Sequence, residues 1–500
     1  MIFKMINLIN YHNLFGFGKI KEKFLKYFNN YEQKEFSCVE SYEIANKLIN
    51  LVFKDFNKLL IEFNYEDLIV RNYEIIENIY LVSYWFSHKF NDPQYFVYNQ
   101  EYSTILKDMF NFIPYNKSLN NNKKFDEKKY VELVCLFRLF VQLNKVKLFS
   151  EKRFRNYLGL KINFLYDEPY FFLKTKVRLN MFRKEDMKQD KDDFEERDID
   201  LNKLDKMLDT EYKKLNNYFK TKSKIRLVDI TSILNIITHI EVDNNNLIHM
   251  NYEDLIKKIQ YISKSKFNDD FTFDTIKKVL NLFIFEFNNE KSINKPIKNR
   301  FFIKPLVKLN NKILVGHQTL SNSISNFGNA LMEGKGQYSI ETIDKELKTI
   351  IIKIRKKDDD IFEDYCVKKV NNIFSKTRGN ITKKDFNDLP GQIDILCVNE
   401  TKNIIYLIEC KKIISKTFNS EILNCLNSFI KSDGYINKLI KKEKFLKKNK
   451  KTILKKLFDI NNSEQFKIKS YFLFPVRTII SESLKESNNI IYLSNLNKLK

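Results

Sequence analysis

A chain of 500 residues exceeds what one hydrophobic core usually organises, so two or three domains are expected, and 44 Phe and 26 Tyr can fill their cores. The formal charge of +24 invites a nucleic-acid reading, because a surplus of cations is the sequence-independent footprint of phosphate binding. Only twelve of the 87 basic residues are Arg, however, and heavy use of Lys, Asn, Ile and Phe is what an AT-rich genome imposes, so the placement of charge says more than its total.

The start MIFKMINLIN lacks the long apolar region and small-residue cleavage site of a signal peptide. Few Gly or Pro follow, and apolar residues recur at three and four: Ile44, Leu48, Val52, Phe56, Leu59 and Phe63, then Leu133, Phe137, Phe140 and Val141. This predicts a helical N-terminal domain over 1–183. Its most apolar run, Ile75 to Phe86, carries Glu77 and Asn78 and falls short of the ~18 residues of a membrane span. Charges of both signs dominate 184–222, predicting a solvated helix or connector without chemistry, before a helical subdomain over 223–298.

Phe301 to Leu309 and Lys312 to Val315 are strand-like around Asn310-Asn311, a pair that tolerates the positive φ of a hairpin turn, so 299–338 is expected to be a β-hairpin and linker. Within a last domain over 339–500, a helix is expected from Ser339 to Lys357. Asp358 to Asp360 then lead into a second helix, IFEDYCVKKVNNIF. Strands follow over Ile393 to Val398 and Ile404 to Cys410, then basic helices and a final strand, SYFLFPV. The fold class is α+β, a mainly α-helical N-terminal region followed by an α/β domain. No internal repeat occurs at a fixed period.

The informative segment is GQIDILCVNETKNIIYLIECKK, Gly391 to Lys412, read as a hairpin turning at Glu400 to Asn403. A symmetric turn sets Val398 opposite Ile405, Leu396 opposite Leu407, and Asp394 opposite Glu409. Like charges placed directly across an antiparallel pair repel, so such a pair persists cheaply only with a cation between. Alternation of strand side chains puts Lys411 on the face of Glu409, while Ile393, Ile395, Cys397, Tyr406, Ile408 and Cys410 occupy the other. Buried charges need partners, and hard oxygen donors converging at one end of an apolar hairpin suit Mg²⁺ or Mn²⁺.

An acid opening one strand and Glu-x-Lys ending its partner resembles the PD-(D/E)xK signature of restriction-endonuclease-like nucleases, here Asp394 with Glu409-Cys410-Lys411. The order helix, strand, hairpin, helix, final strand also resembles that superfamily, with its first strand in Phe374 to Thr382, and Glu-Cys-Lys after an Ile-Asp looks most like the Mrr-type branch. The resemblance implies a central mixed sheet flanked by helices. It implies that Asp394, Glu409 and the main-chain carbonyl of Cys410 hold the metal, and that Lys411 orients or deprotonates the attacking water and stabilises transition-state charge. Glu363, on the preceding helix, would add a ligand directly, through water, or at a second metal. The implied activity is Mg²⁺- or Mn²⁺-dependent cleavage of DNA, as in restriction or another defence against foreign DNA. Ile393 stands where the family has Pro, and the helix after Lys412 lacks the glutamines of Mrr-type enzymes. The resemblance covers little more than the last 140 residues.

Competing readings stand beside these. Asp360-Ile-Phe-Glu363 also fits a capping box, with Glu341 and Glu346 as weaker alternates for the helix acid. Lys412 competes with Lys411, though parity favours the latter. Lys431 to Lys456 carries eleven lysines along an apolar stripe of Ile436, Leu439, Ile440, Leu446, Ile453 and Leu457. It is either a solvated face or a phosphate-tracking surface made by Lys438, Lys441, Lys442, Lys447 and Lys448. The six cysteines, Cys38, Cys135, Cys366, Cys397, Cys410 and Cys425, lack metal-ligand spacing and read as reduced core residues of a cytoplasmic protein. The histidines His12, His88, His239, His249 and His317 are isolated, and Gly16-Phe-Gly18-Lys19 and Gly334-Lys335-Gly336 lack P-loop spacing, so no nucleotide cofactor is expected. DNA is the expected partner, with a homodimer suited to cutting both strands and a separate partner protein left open. The rivals are an inactive nucleic-acid-binding or assembly protein on a nuclease fold, and an RNA-directed nuclease.

Overall fold

The computed structural model describes residues 27, 35–36, 38–89, 103–114, 124–150, 162–167, 170–174, 213–285, 287, 301, 304–332, 345–413, 419–475, 478–485 and 489–500. The charged stretch up to 212, Ser339, Glu341, Asn120–Asn122, His12 and both glycine-rich clusters lie outside them. The chain is α+β, and among the described residues no helix is long and apolar enough to cross a membrane.

Three long helices form the N-terminal part: α1 (Cys38–Leu60), α2 (Tyr65–Lys89) and α3 (Glu127–Phe149). Their ends follow from side-chain caps. Asn64 Oδ1 accepts the Glu66 amide at 2.9 Å to start α2, and Asp126 Oδ1 accepts that of Lys128 at 2.9 Å to start α3. α1 lies along α3, where the i, i+4 spacing seen in the sequence buries Leu48, Val52 and Phe56 against Phe137 and Phe140, with the Phe53 and Phe140 rings stacked at 4.7 Å. The helical reading of this part omitted a small antiparallel sheet, β1 (Glu35–Phe36), β2 (Ile162–Asp167) and β3 (Tyr170–Lys174).

The middle part joins in one sheet what the sequence pattern divides at 298. β4 (Leu247–Asn251) and β5 (Ile284–Phe285) flank the hairpin β6 (Leu306–Leu309) and β7 (Lys312–Gly316) in the order β4-β7-β6-β5. The hairpin turns at Asn310, φ 54°, as its sequence requires. Helices α4 (Leu227–Ile237), α5 (Tyr252–Phe267), α6 (Phe273–Phe283) and α7 (His317–Met332) pack an Ile- and Leu-rich core with it. Two α2 side chains key the N-terminal helices to this unit. Tyr73 Oη donates to Pro305 O at 2.7 Å, and Glu77, 1% exposed, accepts the Gln318 and Thr319 amides at 2.6 and 2.8 Å. A carboxylate thus caps the amino end of α7, where unpaired N–H groups and the helix dipole favour negative charge. The approach needs Gly316, since a Cβ there would lie 2.3 Å from Glu77 Oε2.

α8 (Lys345–Asn371) is one continuous helix of 27 residues, so the expected break at Asp358 to Asp360 does not occur. Its first half buries Leu347, Ile351 and Ile354 in the middle core, and its second half buries Phe362, Cys366 and Val370 against the last sheet. Apolar contacts at both ends hold the helix through three acids that favour termini only weakly.

The last sheet runs β12-β11-β10-β9-β8: β8 (Lys376–Ile381), β9 (Ile393–Asn399), β10 (Ile404–Cys410), β11 (Lys467–Phe474) and β12 (Ile490–Tyr492). β8 with β9 and β9 with β10 pair antiparallel, whereas β10 with β11 and β11 with β12 pair parallel. The parallel return from β10 to β11 is carried by α9 (Asn419–Ile430), α10 (Tyr435–Lys448) and α11 (Lys450–Phe458), and α12 (Ile479–Lys485) connects β11 to β12. The basic stretch is therefore two helices broken at Asn449. Leu396, Val398, Ile405 and Leu407 share a core with Phe429, Leu439 and Leu446 of the crossover, while Ile395, Cys397, Tyr406 and Ile408 face α8. Every residue of β9 and β10 is buried, as a strand pair covered on both faces must be.

Candidate active site

The hairpin turns at Glu400 to Asn403, with Asn403 at φ 51°, and its rungs pair Val398 with Ile405 and Leu396 with Leu407. The last rung is Ile395 with Ile408, so Asp394 and Glu409 stand one step beyond it, at the end away from the turn. They are 5% and 6% exposed. The cation that such a pair demands is Lys411, whose Nζ lies 3.6 Å from Asp394 Oδ2 and 3.6 Å from Glu409 Oε2. Parity thus delivers Lys411 to the carboxylates. Ile393, assigned by alternation to the opposite face, instead joins the crossover-side core; the chain enters β9 from Gly391 at φ 100°.

Backbone bonds hold these groups. Asp394 Oδ2 accepts the Cys410 amide at 2.8 Å, the Lys411 amide donates to Leu473 O of β11 at 2.8 Å, and Lys411 Nζ donates to the Cys410 carbonyl at 2.8 Å. Burial alone would lower the Lys411 pKa, but the charges of Asp394 and Glu409 outweigh it and raise the value above that of an ordinary lysine. The ammonium is a fixed cation. Burial and the neighbouring Asp394 charge push the Glu409 carboxyl up, while Lys411 and a second lysine pull it back.

That second lysine is Lys442 of α10, whose Nζ lies 2.5 Å from Glu409 Oε1. It is 6% exposed and turned into the site, whereas the charge run placed it on the exposed surface. The signal was present in the sequence: Leu439 and Leu446 stand three before and four after it, which puts Lys442 on the buried stripe. Ile440, assigned to that stripe, is 42% exposed. Lys438, Lys441, Lys447 and Lys448 are exposed, with Lys447 paired to Glu443 at 2.6 Å. Tyr435, which sequence reasoning also missed, places its ring 5.0 Å from Lys411 Nζ and 5.8 Å from Lys438 Nζ.

Glu363 lies well inside α8, so the capping-box alternative is excluded: a helix-interior residue has no orphan amides to satisfy. Gln392, just before β9, donates to Glu363 Oε2 at 3.4 Å and to Asn380 Oδ1 at 3.0 Å. Burial, then the charge of Asp394, pushes the Glu363 carboxyl up to about 7, with Lys411 opposing. Of the alternates, Glu346 pairs with Lys222 at 3.6 Å in solvent, away from the site.

Two carboxylates and the Cys410 carbonyl are hard donors of the kind Mg²⁺ and Mn²⁺ take, with the remaining positions left to water and phosphate oxygen. The donor chemistry fits. Glu363 does not complete a three-acid cluster, since among the described residues no three His, Cys, Asp or Glu side chains are grouped to hold a metal ion. No protein-family model, curated protein or solved structure matches the chain.

Proposed function

We propose that this chain is a Mg²⁺- or Mn²⁺-dependent phosphodiesterase acting on DNA. One observation carries the reading: two buried carboxylates from adjacent strands share one lysine ammonium at 3.6 Å each, at one end of a hairpin in a mixed sheet. Structural ion pairs also occur in cores, but a cluster of two acids and two lysines at the open end of a hairpin is an expensive way to stabilise an apolar sheet.

Asp394, Glu409 and the Cys410 carbonyl would hold the cation, which when bound supplies Lewis acidity toward a phosphate oxygen and a lowered pKa for water. Lys411, kept charged by its neighbours, serves transition-state charge and water orientation and is poorly suited to removing a proton. Glu363, whose carboxyl feels the charges of Asp394, Lys411 and Glu409, would add a ligand or take the proton of the attacking water. Lys438, exposed on α10 and joined to Lys411 through the Tyr435 ring, suits a flanking phosphate.

The test is incubation of the purified chain with supercoiled and linear DNA and matched RNA, with Mg²⁺, Mn²⁺ or EDTA. Metal-dependent cleavage of DNA that falls by about a hundredfold or more in Asp394→Ala and Lys411→Ala is expected. Absence of cleavage of any substrate would defeat the reading in favour of a binding protein, and preference for RNA would change its substrate.

A further inference from the structure

The acids and lysines at the hairpin end balance: Asp394 and Glu409 against Lys411 and Lys442. Each Glu409 oxygen already faces an ammonium, Oε2 toward Lys411 and Oε1 toward Lys442. A divalent cation that uses Glu409 therefore meets two resident charges, and like charges confined to a buried site repel strongly. One of them must yield.

The two lysines are not equally free to do so. Lys411 is bonded to the Cys410 carbonyl, is fixed by its amide to β11, and follows Glu409 by two residues, directly after β10. Lys442 reaches in from a separate helix. Its Cε lies 3.7 Å from where a Cβ on Gly391 would stand, so the stem runs beside a residue that offers no side chain to hold it in place. On the same helical face, four and seven residues earlier, stand Lys438 and Tyr435, and Tyr435 bridges the ammoniums of Lys411 and Lys438. Cations therefore continue from the carboxylates out to solvent along one side of α10.

We propose that Lys442 is the resident counter-ion of the metal seat, exchanged off Glu409 by the divalent ion and released to a nucleic-acid phosphate beside Lys438. The exchange rests on the nuclease reading and makes metal loading and backbone grip one event. Lys442 is then a positioning residue, acting on the cation through Glu409. No bond forms or breaks; one ion pair is traded for another.

The exchange is read on the full chain by trace acylation of lysines with acetic anhydride, quantified residue by residue in EDTA and in saturating Mn²⁺. Lys442 should react several-fold faster with Mn²⁺ present, and Asp394→Ala should abolish that difference. Mn²⁺ binding followed by electron paramagnetic resonance should be tighter in Lys442→Gln, which keeps a hydrogen-bond donor but loses the charge, by about tenfold or more, and unchanged in Lys442→Arg. Asp394-dependent Mn²⁺ binding with equal Lys442 acylation in both conditions would overturn the exchange and leave the nuclease reading intact. No Mn²⁺ binding to wild type or to Lys442→Gln would overturn both.

Discussion

Glu363 shows how burial and charge act on one side chain. Its carboxyl titrates near 7 in the folded chain against about 4.5 when free, so the folded state holds a proton that the unfolded state has already released. A raised acid pKa costs stability as pH rises from the free value, and the cost is complete above the folded value. In EDTA, Glu363→Gln should match wild type below about pH 4.5 and be the more stable from about pH 7 upward, as read from urea midpoints. A difference that shrinks with rising pH would contradict the assignment. Lys411 behaves oppositely, because its removal leaves two buried acids without their shared cation. Lys411→Met should lose about 3–5 kcal/mol in equilibrium unfolding, so its activity must be measured on folded protein. The triad of Asp394, Glu409 and Lys411 was legible because strand alternation and a short turn leave one register. Lys442 was read only as one of five surface lysines, because ten other lysines in the same stretch hid the one that stands on the apolar stripe.

At the scale of the element, α8 separates two readings of the same letters. Asp358 to Asp360 look like a helix start, and local propensity offers no reason to continue through them. What overrides it is the apolar contact on each side, Ile351 and Ile354 with one core and Phe362 and Cys366 with another, contacts that no local window contains. Asp360→Ala tests the outcome by its sign. In a helix interior the change should stabilise by about 0.5 kcal/mol, whereas loss of an N-cap would cost about 1 kcal/mol. The hairpin turns, by contrast, were legible, because Asn310 and Asn403 mark them with left-handed backbone, though the first strand begins at Leu306 and not at Phe301. β8 was expected near Phe374 to Thr382 and lies at Lys376–Ile381, pressed so close to α8 that a Cβ on Gly379 would come 2.5 Å from Val367 Cγ2. Gly379→Ala should lower thermal stability by about 1–3 kcal/mol, since backbone or helix must move to admit it.

Across the whole molecule, parts distant in sequence close on one another through few polar contacts. Glu77 on α2 meets the amides of Gln318 and Thr319 and the Thr319 hydroxyl, and nothing local in either segment announces the pairing. Glu77→Ala should destabilise by about 2–4 kcal/mol by stripping a buried helix end of its acceptor, measured by chemical denaturation. The same logic explains why the sequence divides the middle part at 298 while the fold does not: β4 and β5 are too short to outweigh the helical pattern around them, and only their pairing with the hairpin reveals the sheet. A single contiguous set of buried apolar residues runs from Tyr27 to Tyr492, so the amino-terminal helices and the crossover face of the last sheet share one interior.

The helix that carries Glu363 also carries Leu347, Ile351 and Ile354 into the neighbouring core. Its midpoint, where a domain border would fall, is a run of hydrogen-bonded turns with no loop in it. A chain break there would leave each side with half a helix and an opened core, so the two units are not separable at this point. The proposed metal seat and the unit before it are therefore joined by unbroken helix.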